Sequence, residues 1–161
     1  MPTLRARDKI PGRRALQALL ARARRRGQRI VFTSGCFDLL HIGHVRGFEE
    51  ACAHGDLLVV GVNRDRRVRE LKGRGRPVVP EKQRAEVIAA LACVDYVVLF
   101  AEDTAAALIR SLRPDVVCKG GDYRSEQTPE QRAIESLGGR FVALRQTPGV
   151  RSTALIDRAL R

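Results

Sequence analysis

Ser34-Gly35-Cys36-Phe37-Asp38-Leu39-Leu40-His41-Ile42-Gly43-His44 starts where the apolar run Arg29-Ile-Val-Phe-Thr33 ends. It carries two histidines separated by an isoleucine and a glycine. The apolar run reads as a short buried strand, and Val45 to Ala53 reads as a helix that stops near His54-Gly55. A strand, a glycine-bearing loop and a helix in that order set the pattern against which the rest of the chain is read.

On the N-terminal side, Leu16, Leu19, Leu20 and Ala23 recur at helical spacing within residues 13–26, with arginines on the opposite face and Gly27 as the stop. On the C-terminal side the next strand is Asp56 to Val62. Asn63 to Pro80 is the least regular segment, and its Gly73, Gly75 and Pro77 predict a mobile basic loop. Glu81 to Leu91 follows as a helix, then Tyr96 to Phe100 as a strand with Asp95 at its start. Asp103 is placed to cap a helix over 104–112, which Arg113-Pro114 closes because the residue before a proline avoids the helical conformation. Asp115 to Cys118 is the fourth strand. Thr128-Pro-Glu-Gln131 matches a capping box with proline at the first helical position, and Gly138-Gly139 ends that helix. Arg140 to Leu144 is the fifth strand, and Ser152 is placed to cap a last helix through Leu160.

Strands alternate with helices throughout. The pattern predicts one α/β domain, Rossmann-like, with a mainly parallel five-stranded sheet and helices on both faces, over residues 28–161, preceded by a basic helical extension over 1–27. A length of 161 residues suits a single domain.

The composition excludes several classes. No run of about 18 apolar residues is present and the N-terminal segment lacks a signal-peptide pattern, so a cytoplasmic protein without membrane association is expected. The four cysteines, Cys36, Cys52, Cys93 and Cys118, form no C-x-x-C pair and are expected as reduced, mostly buried thiols. A formal net charge of +12 attracts phosphate-bearing partners, but aromatic residues make up 4% of the chain and Trp is absent, which leaves few platforms for stacking nucleic-acid bases.

In α/β sheets of this kind ligands bind beyond the carboxyl ends of the strands. The histidine stretch, Asn63-Arg-Asp65, Lys119-Gly-Gly-Asp-Tyr123 and Thr147-Pro-Gly-Val-Arg-Ser-Thr153 all follow predicted strands, so one rim is expected to gather them. With a helix starting near Ile42 or Gly43, His41 and His44 fall at its N-terminus, where free backbone N–H groups favour an anion. Gly43 leaves that backbone bare, and the imidazoles add donors able to be neutral or cationic near neutral pH. The stretch therefore reads as a phosphate site. The bland alternative is one histidine that caps the helix and one that packs. A metal site lacks an evident third ligand.

With Lys72-Gly73, Arg84, Lys119-Gly-Gly-Asp-Tyr123 and Ser152-Thr153 beside it, the stretch Gly35 to His44 resembles the H-x-G-H nucleotidyltransferases, and most closely the heptose 1-phosphate adenylyltransferases of lipopolysaccharide precursor synthesis. Many members of that family carry a fused sugar kinase. This length leaves no room for one, so a stand-alone transferase is expected.

The resemblance implies that heptose 1-phosphate attacks the α-phosphorus of ATP, giving ADP-heptose and pyrophosphate. It implies catalytic roles for His41, His44 and Lys72, with Lys72 closing over the triphosphate from the basic loop, and weaker parts there for Arg74 and Arg76. It implies nucleotide contacts from Ser34, Gly35, Cys36, Phe37, Asp38, Gly43, Asn63, Arg84, Ser152 and Thr153, with Asp38 orienting the loop or its first histidine. Lys119, Asp122 and Tyr123 are expected at the sugar phosphate or the adenine edge, with Gly120 and Gly121 shaping the turn. Lys72 is otherwise a solvated lysine, Arg84 otherwise an ion-pair partner of Glu81, and Ser152 otherwise a cap.

Relatives commonly show an unbroken Ser-Thr run after the glycine, where this chain has Gly149-Val-Arg-Ser-Thr-Ala154, so Arg151 stands where a hydroxyl is expected. The resemblance also implies Mg²⁺ carried mainly on the ATP phosphates, with no dedicated protein metal site, and a homo-oligomer. Two alternatives stay open: a cytidylyltransferase for glycerol 3-phosphate or a phospho-alcohol, and a basic nucleic-acid-binding module whose histidines are structural.

Overall fold

Five short apolar runs become strands β1 (Ile30–Gly35), β2 (Leu57–Asn63), β3 (Tyr96–Phe100), β4 (Val116–Gly120) and β5 (Arg140–Leu144) in a computed structural model that describes residues 5–121 and 127–160. They form one sheet in the order β3-β2-β1-β4-β5, and every pairing is parallel. A parallel sheet is covered on both faces, which is why these runs are apolar without strict alternation. The helices are α1 (Arg13–Arg25), α2 (Ile42–Cys52), α3 (Asp65–Lys72), α4 (Glu81–Ala89), α5 (Ala106–Leu112), α6 (Pro129–Ser136) and α7 (Ser152–Ala159), with a short 3-10 turn at Ala6–Lys9.

The two-residue period of a strand sends successive side chains to opposite faces. Ile30, Phe32 and Val59 pack with Leu16 and Leu20 of α1, Leu108 and Ile109 of α5, and Ile134 of α6. Val31, Leu58 and Val60 pack with Phe48 of α2 and Ala85 and Ile88 of α4. Three aspartates tie the amino-terminal edge of the sheet: Asp56, Asp95 and Asp115 accept the backbone N–H groups of Arg29, Leu58 and Ile30 at 2.7–2.8 Å. With that edge fixed, the carboxyl edge is left for loops.

The structure departs from the sequence reading at several points. Residues 63–80 are not one loop: Asp65–Lys72 is helical, anchored by fully buried Val68 and braced by Glu70 against Arg66 and Arg67. Arginine, leucine, lysine and glutamate are good helix formers, and the breakers act only from Gly73 onward. Helix α2 starts at Ile42, ahead of the Val45 to Ala53 run and at the start on which the phosphate-site reading rests.

Asp103 does not cap α5. It is exposed toward Arg67 at 3.8 Å, and the Ala105 N–H is met by Glu130 at 3.2 Å instead. Ser152 does not cap α7 either, being its first residue, with its hydroxyl donating to the Leu39 carbonyl at 3.0 Å. The helix within residues 1–27 is no appendage to the packing: Leu16 and Leu20 are fully buried in the core, and Gln17 donates to Ser111 at 2.8 Å. Of the cysteines only Cys118 is buried; Cys36, Cys52 and Cys93 are half-buried free thiols.

Candidate active site

Strand β1 lies between β2, the next in sequence, and β4, which the chain reaches only after crossing back from β3. At such a reversal the loops leaving neighbouring strands diverge and open a crevice. A cleft of about 720 Å³ lies there. The β1–α2 loop forms one wall with Ser34 to Asp38 and with His41, Gly43 and His44; the end of β4 contributes Lys119, Gly120 and Gly121. Lys72 at the end of α3 and Arg76 just beyond it reach the cleft, and the β5–α7 loop with the first turn of α7 closes it with residues 145–153.

The β1–α2 loop is shaped by Phe37, whose backbone has φ 48°. Its ring lies over Gly35, where a Cβ would sit 2.9 Å from the ring, and it meets His44 edge-on with centroids 5.3 Å apart. Gly35 is thus bare for the ring that props His44.

His41 is the N-cap of α2. Its Nδ1 accepts the Gly43 N–H at 3.1 Å, and its carbonyl takes the N–H groups of His44 and Val45. His44 returns the arrangement, its Nδ1 accepting the His41 N–H at 3.4 Å. A Cβ on Gly43 would lie 3.0 Å from the His41 ring. The glycine therefore makes room for the imidazole, a correction to the reading in which it bares the backbone for phosphate. The backbone N–H groups of residues 43–45 are likewise taken by His41, so the first turn does not offer them to an anion.

The imidazoles themselves offer N–H. With each Nδ1 accepting from backbone, the hydrogen-bond pattern assigns the proton of each neutral ring to Nε2. Burial lowers the pKa of His41, and burial followed by the charge of His41 lowers that of His44 to about 4. At pH 7 both rings are neutral donors in the free protein, rather than groups poised between charge states.

The remaining expected residues divide. Lys72 is exposed at the end of α3 and borders the cleft. Thr153 and Ser152 border it as well. Lys119 does so while paired with Glu130 at 3.1 Å. Burial raises the Glu130 pKa, but Lys119 and the backbone N–H groups more than offset it and hold the carboxyl below the usual range.

Arg84 and Asn63 stand behind the loop and do not line the cleft. The Arg84 side chain is fully buried and donates to the carbonyls of Val79 at 2.9 Å, Asn63 at 2.8 Å and Cys36, and to Asp65 Oδ1 at 2.8 Å. Glu81 pairs with Arg64, not Arg84. Asn63 turns its amide to the Cys36 sulfur at 3.8 Å. Asp38 reaches Arg76 and the backbone N–H groups of Val78 and Val79, so it orients the basic segment rather than His41. Asp122 and Tyr123 lie outside the described residues.

Arg145 and Gln146 line the cleft and were missed by the sequence reading. Their signal was their place directly after the fifth strand, the rule that had singled out Thr147 to Thr153.

Among the described residues no three His, Cys, Asp or Glu side chains gather as a metal cage. Among the described residues, the carboxylate that lines the cleft, Asp38, is committed to Arg76, and Glu130 is committed to the cleft residue Lys119. The donor set suits polyanions: neutral N–H donors beside Lys72, Arg76, Lys119, Arg145 and Arg151. A divalent cation fits this cleft as a passenger on phosphate oxygens.

The comparisons agree with this geometry. The protein called Bifunctional protein HldE from Syntrophotalea carbinolica is 49% identical over 153 residues, 95% of this chain and 31% of its own length. Its namesake from Pelobacter propionicus is 48% identical over the same share. The chain thus spans about a third of the length of the curated relatives it matches. Among solved structures, a lipopolysaccharide core biosynthesis protein from Thermoplasma volcanium GSS1 is 30% identical with a TM-score of 0.66, covering 75% of this chain and 99% of that one. A pantoate-beta-alanine ligase from Francisella tularensis, 13% identical with a TM-score of 0.57 and covering 91% and 75%, shares the fold. The profile of the cytidylyltransferase-like family matches residues 32–158, and the chain belongs to that family.

Proposed function

We propose that the chain transfers the adenylyl group of ATP to heptose 1-phosphate, releasing pyrophosphate and giving ADP-heptose for lipopolysaccharide core synthesis. The observation that carries this reading is the cleft at the sheet reversal, where two neutral imidazole donors stand beside a cationic rim. The sugar comes from the sequence resemblance at Lys119 to Tyr123, and from the lipopolysaccharide core role named for the Thermoplasma volcanium protein. The relatives are called bifunctional, and a chain matching a third of their length suits one of the two activities.

In the proposed step an oxygen of the sugar phosphate forms a bond to the α-phosphorus. The bond from that phosphorus to the α,β-bridging oxygen breaks, and its electrons leave with pyrophosphate. The nucleophile is already ionised at pH 7, so no strong base is needed, and the chemistry reduces to positioning and charge stabilisation. His41 and His44 are assigned to donate through Nε2–H to the nucleotide phosphates, while Lys72 and Arg76 neutralise the leaving pyrophosphate. Lys119, on the opposite wall, is assigned to the sugar phosphate.

Nucleotidyltransferases of this family generally use a divalent metal with ATP. Mg²⁺ is the ion proposed here, supplying charge neutralisation on the phosphates. A homo-oligomeric state belongs to this reading through the resemblance alone, and cytoplasmic location is carried over as the expectation drawn from the sequence. No helix among the described residues is long and apolar enough to cross a membrane.

The family description keeps a CTP-dependent reaction as the second reading. Incubation with ATP or CTP, Mg²⁺, and either heptose 1-phosphate anomer or glycerol 3-phosphate separates them, with pyrophosphate and product mass as readouts. ADP-heptose is the expected product. Product from CTP alone overturns the adenylyl reading. Salt-sensitive RNA or duplex binding without pyrophosphate release from any pair points to the nucleic-acid module.

A further inference from the structure

Asp38 lies three residues before His41, and its side chain is 1% exposed. Its bonds run to a segment about forty residues further on. Oδ2 accepts Arg76 Nε at 2.6 Å; Oδ1 accepts the N–H groups of Val78 at 2.8 Å and Val79 at 2.9 Å. Val79 is also held from its other side, because its carbonyl accepts Arg84 Nε at 2.9 Å. The same guanidinium donates to the carbonyl of Cys36. Two buried side chains of opposite charge therefore grip one residue, and each is fixed to the β1–α2 loop, Asp38 by belonging to it and Arg84 through Cys36.

The chain just before this grip is different. Residues 72–75 are all exposed, Gly73 and Gly75 have φ of 88° and 79°, and a Cβ at either would meet nothing within 4 Å. The segment leaves α3 at Lys72, crosses open ground and becomes fixed only at Arg76. The spacing between the cationic rim and the imidazole pair is then set where the segment is held.

We propose that Asp38 and Arg84 are positioning residues, which rivet Arg76–Val79 to the loop bearing His41 and His44 so that Lys72 and Arg76 face the imidazoles at a fixed distance across the cleft. Asp38 acts through Arg76 and the Val78 and Val79 amides, without touching the nucleotide. The kinetic consequence rests on the transferase reading; the structural one does not.

Asp38→Asn keeps the shape of the side chain while removing the charge that holds Arg76. Limited trypsin digestion, with cleavage sites assigned by mass spectrometry, reads the segment without reference to activity. Cleavage after Lys72 and Arg74 is expected to quicken by about fivefold or more, with cleavage elsewhere unchanged; Arg76 precedes proline and is not itself a site. In a double-mutant cycle with Arg76→Met, kcat/KM for ATP is expected to fall about tenfold in Asp38→Asn and further in Arg76→Met, which also removes a charge assigned to the pyrophosphate, with the double variant no worse than Arg76→Met, since the link is already broken there. Unchanged cleavage at Lys72 and Arg74, or losses that multiply in the double variant, overturns the proposal. Should Asp38→Asn lose its cooperative thermal transition, Arg76→Met breaks the rivet from the more exposed side and carries the same digestion comparison. If the wild type transfers no nucleotide to any sugar phosphate, the transferase reading fails and the digestion result still decides the rivet.

Discussion

His41 and His44 lie ring on ring, centroids 3.8 Å apart and planes 21° apart, each with its Nδ1 turned to a backbone N–H of the same helical turn. Protonating either Nδ1 breaks a capping bond, and a second charge at this distance repels the first. NMR of the imidazole nitrogens is expected to show the Nε2–H form of both rings at pH 7, with His44 titrating at about 4. A His44 midpoint near the unperturbed value of about 6.5 contradicts the arrangement.

The same pair gives a stability prediction with a definite sign. Between about pH 6.5 and about 4 the unfolded chain binds a proton at His44 that the folded chain refuses, so stability falls as pH falls through that window. In His44→Gln the slope of the urea midpoint against pH is expected to flatten there. An equal slope in the variant assigns the acid sensitivity elsewhere.

For turnover, His44→Asn is expected to lower kcat by about 10²–10³-fold, the usual cost of one donor to developing charge. Its loss of the capping bond costs about 1 kcal/mol or less. Steady-state kinetics beside a thermal melt separates the two. Near-normal kcat removes His44 from the mechanism.

Glu130 is a buried carboxylate that holds Lys119 at 3.1 Å and the Ala105 N–H at 3.2 Å. Its lowered pKa means its contribution is complete above about pH 4.3 and is lost as pH falls through the folded value. Glu130→Gln is expected to cost about 1–3 kcal/mol at pH 7 and to raise KM for the sugar phosphate more than for ATP. Urea denaturation and the two KM values provide the check; an equal rise in both removes Lys119 from the sugar side.

Leu16 is fully buried against the same cluster as Phe32 and Leu108. Leu16→Ala is expected to cost about 2–5 kcal/mol, as for other core leucines. A loss near zero in urea denaturation restores the helix to the status of an extension.

These outcomes separate what the residues reveal from what only the fold reveals. The strands were legible because Ile30 to Phe32, Leu58 to Val62 and Val116 to Cys118 are apolar runs too short for helices and bounded by turns. The rim was legible because a parallel sheet sends every strand–helix loop to one edge. Helix α3 was not, because only Val68 and Leu71 mark its apolar side and the breakers just beyond it dominate the segment.

The resemblance placed Arg84 at the nucleotide, and a sequence, which displays side chains and hides carbonyls, gave nothing against it. The inward-turned oxygens of Cys36, Asn63 and Val79 are what recruit it. The histidines were recognised as a pair, but their neutrality depends on ring orientation, which spacing alone does not carry.

The central claim is that the nucleotide's phosphates meet the Nε2–H groups of His41 and His44 at the sheet reversal. A crystal structure of the protein with ATP and Mg²⁺ tests it most directly. The account predicts phosphate oxygens within about 3.2 Å of both Nε2 atoms, with Lys72 or Arg76 on the terminal phosphates. Phosphates seated away from both rings, with the imidazoles still bonded only to backbone, would contradict it.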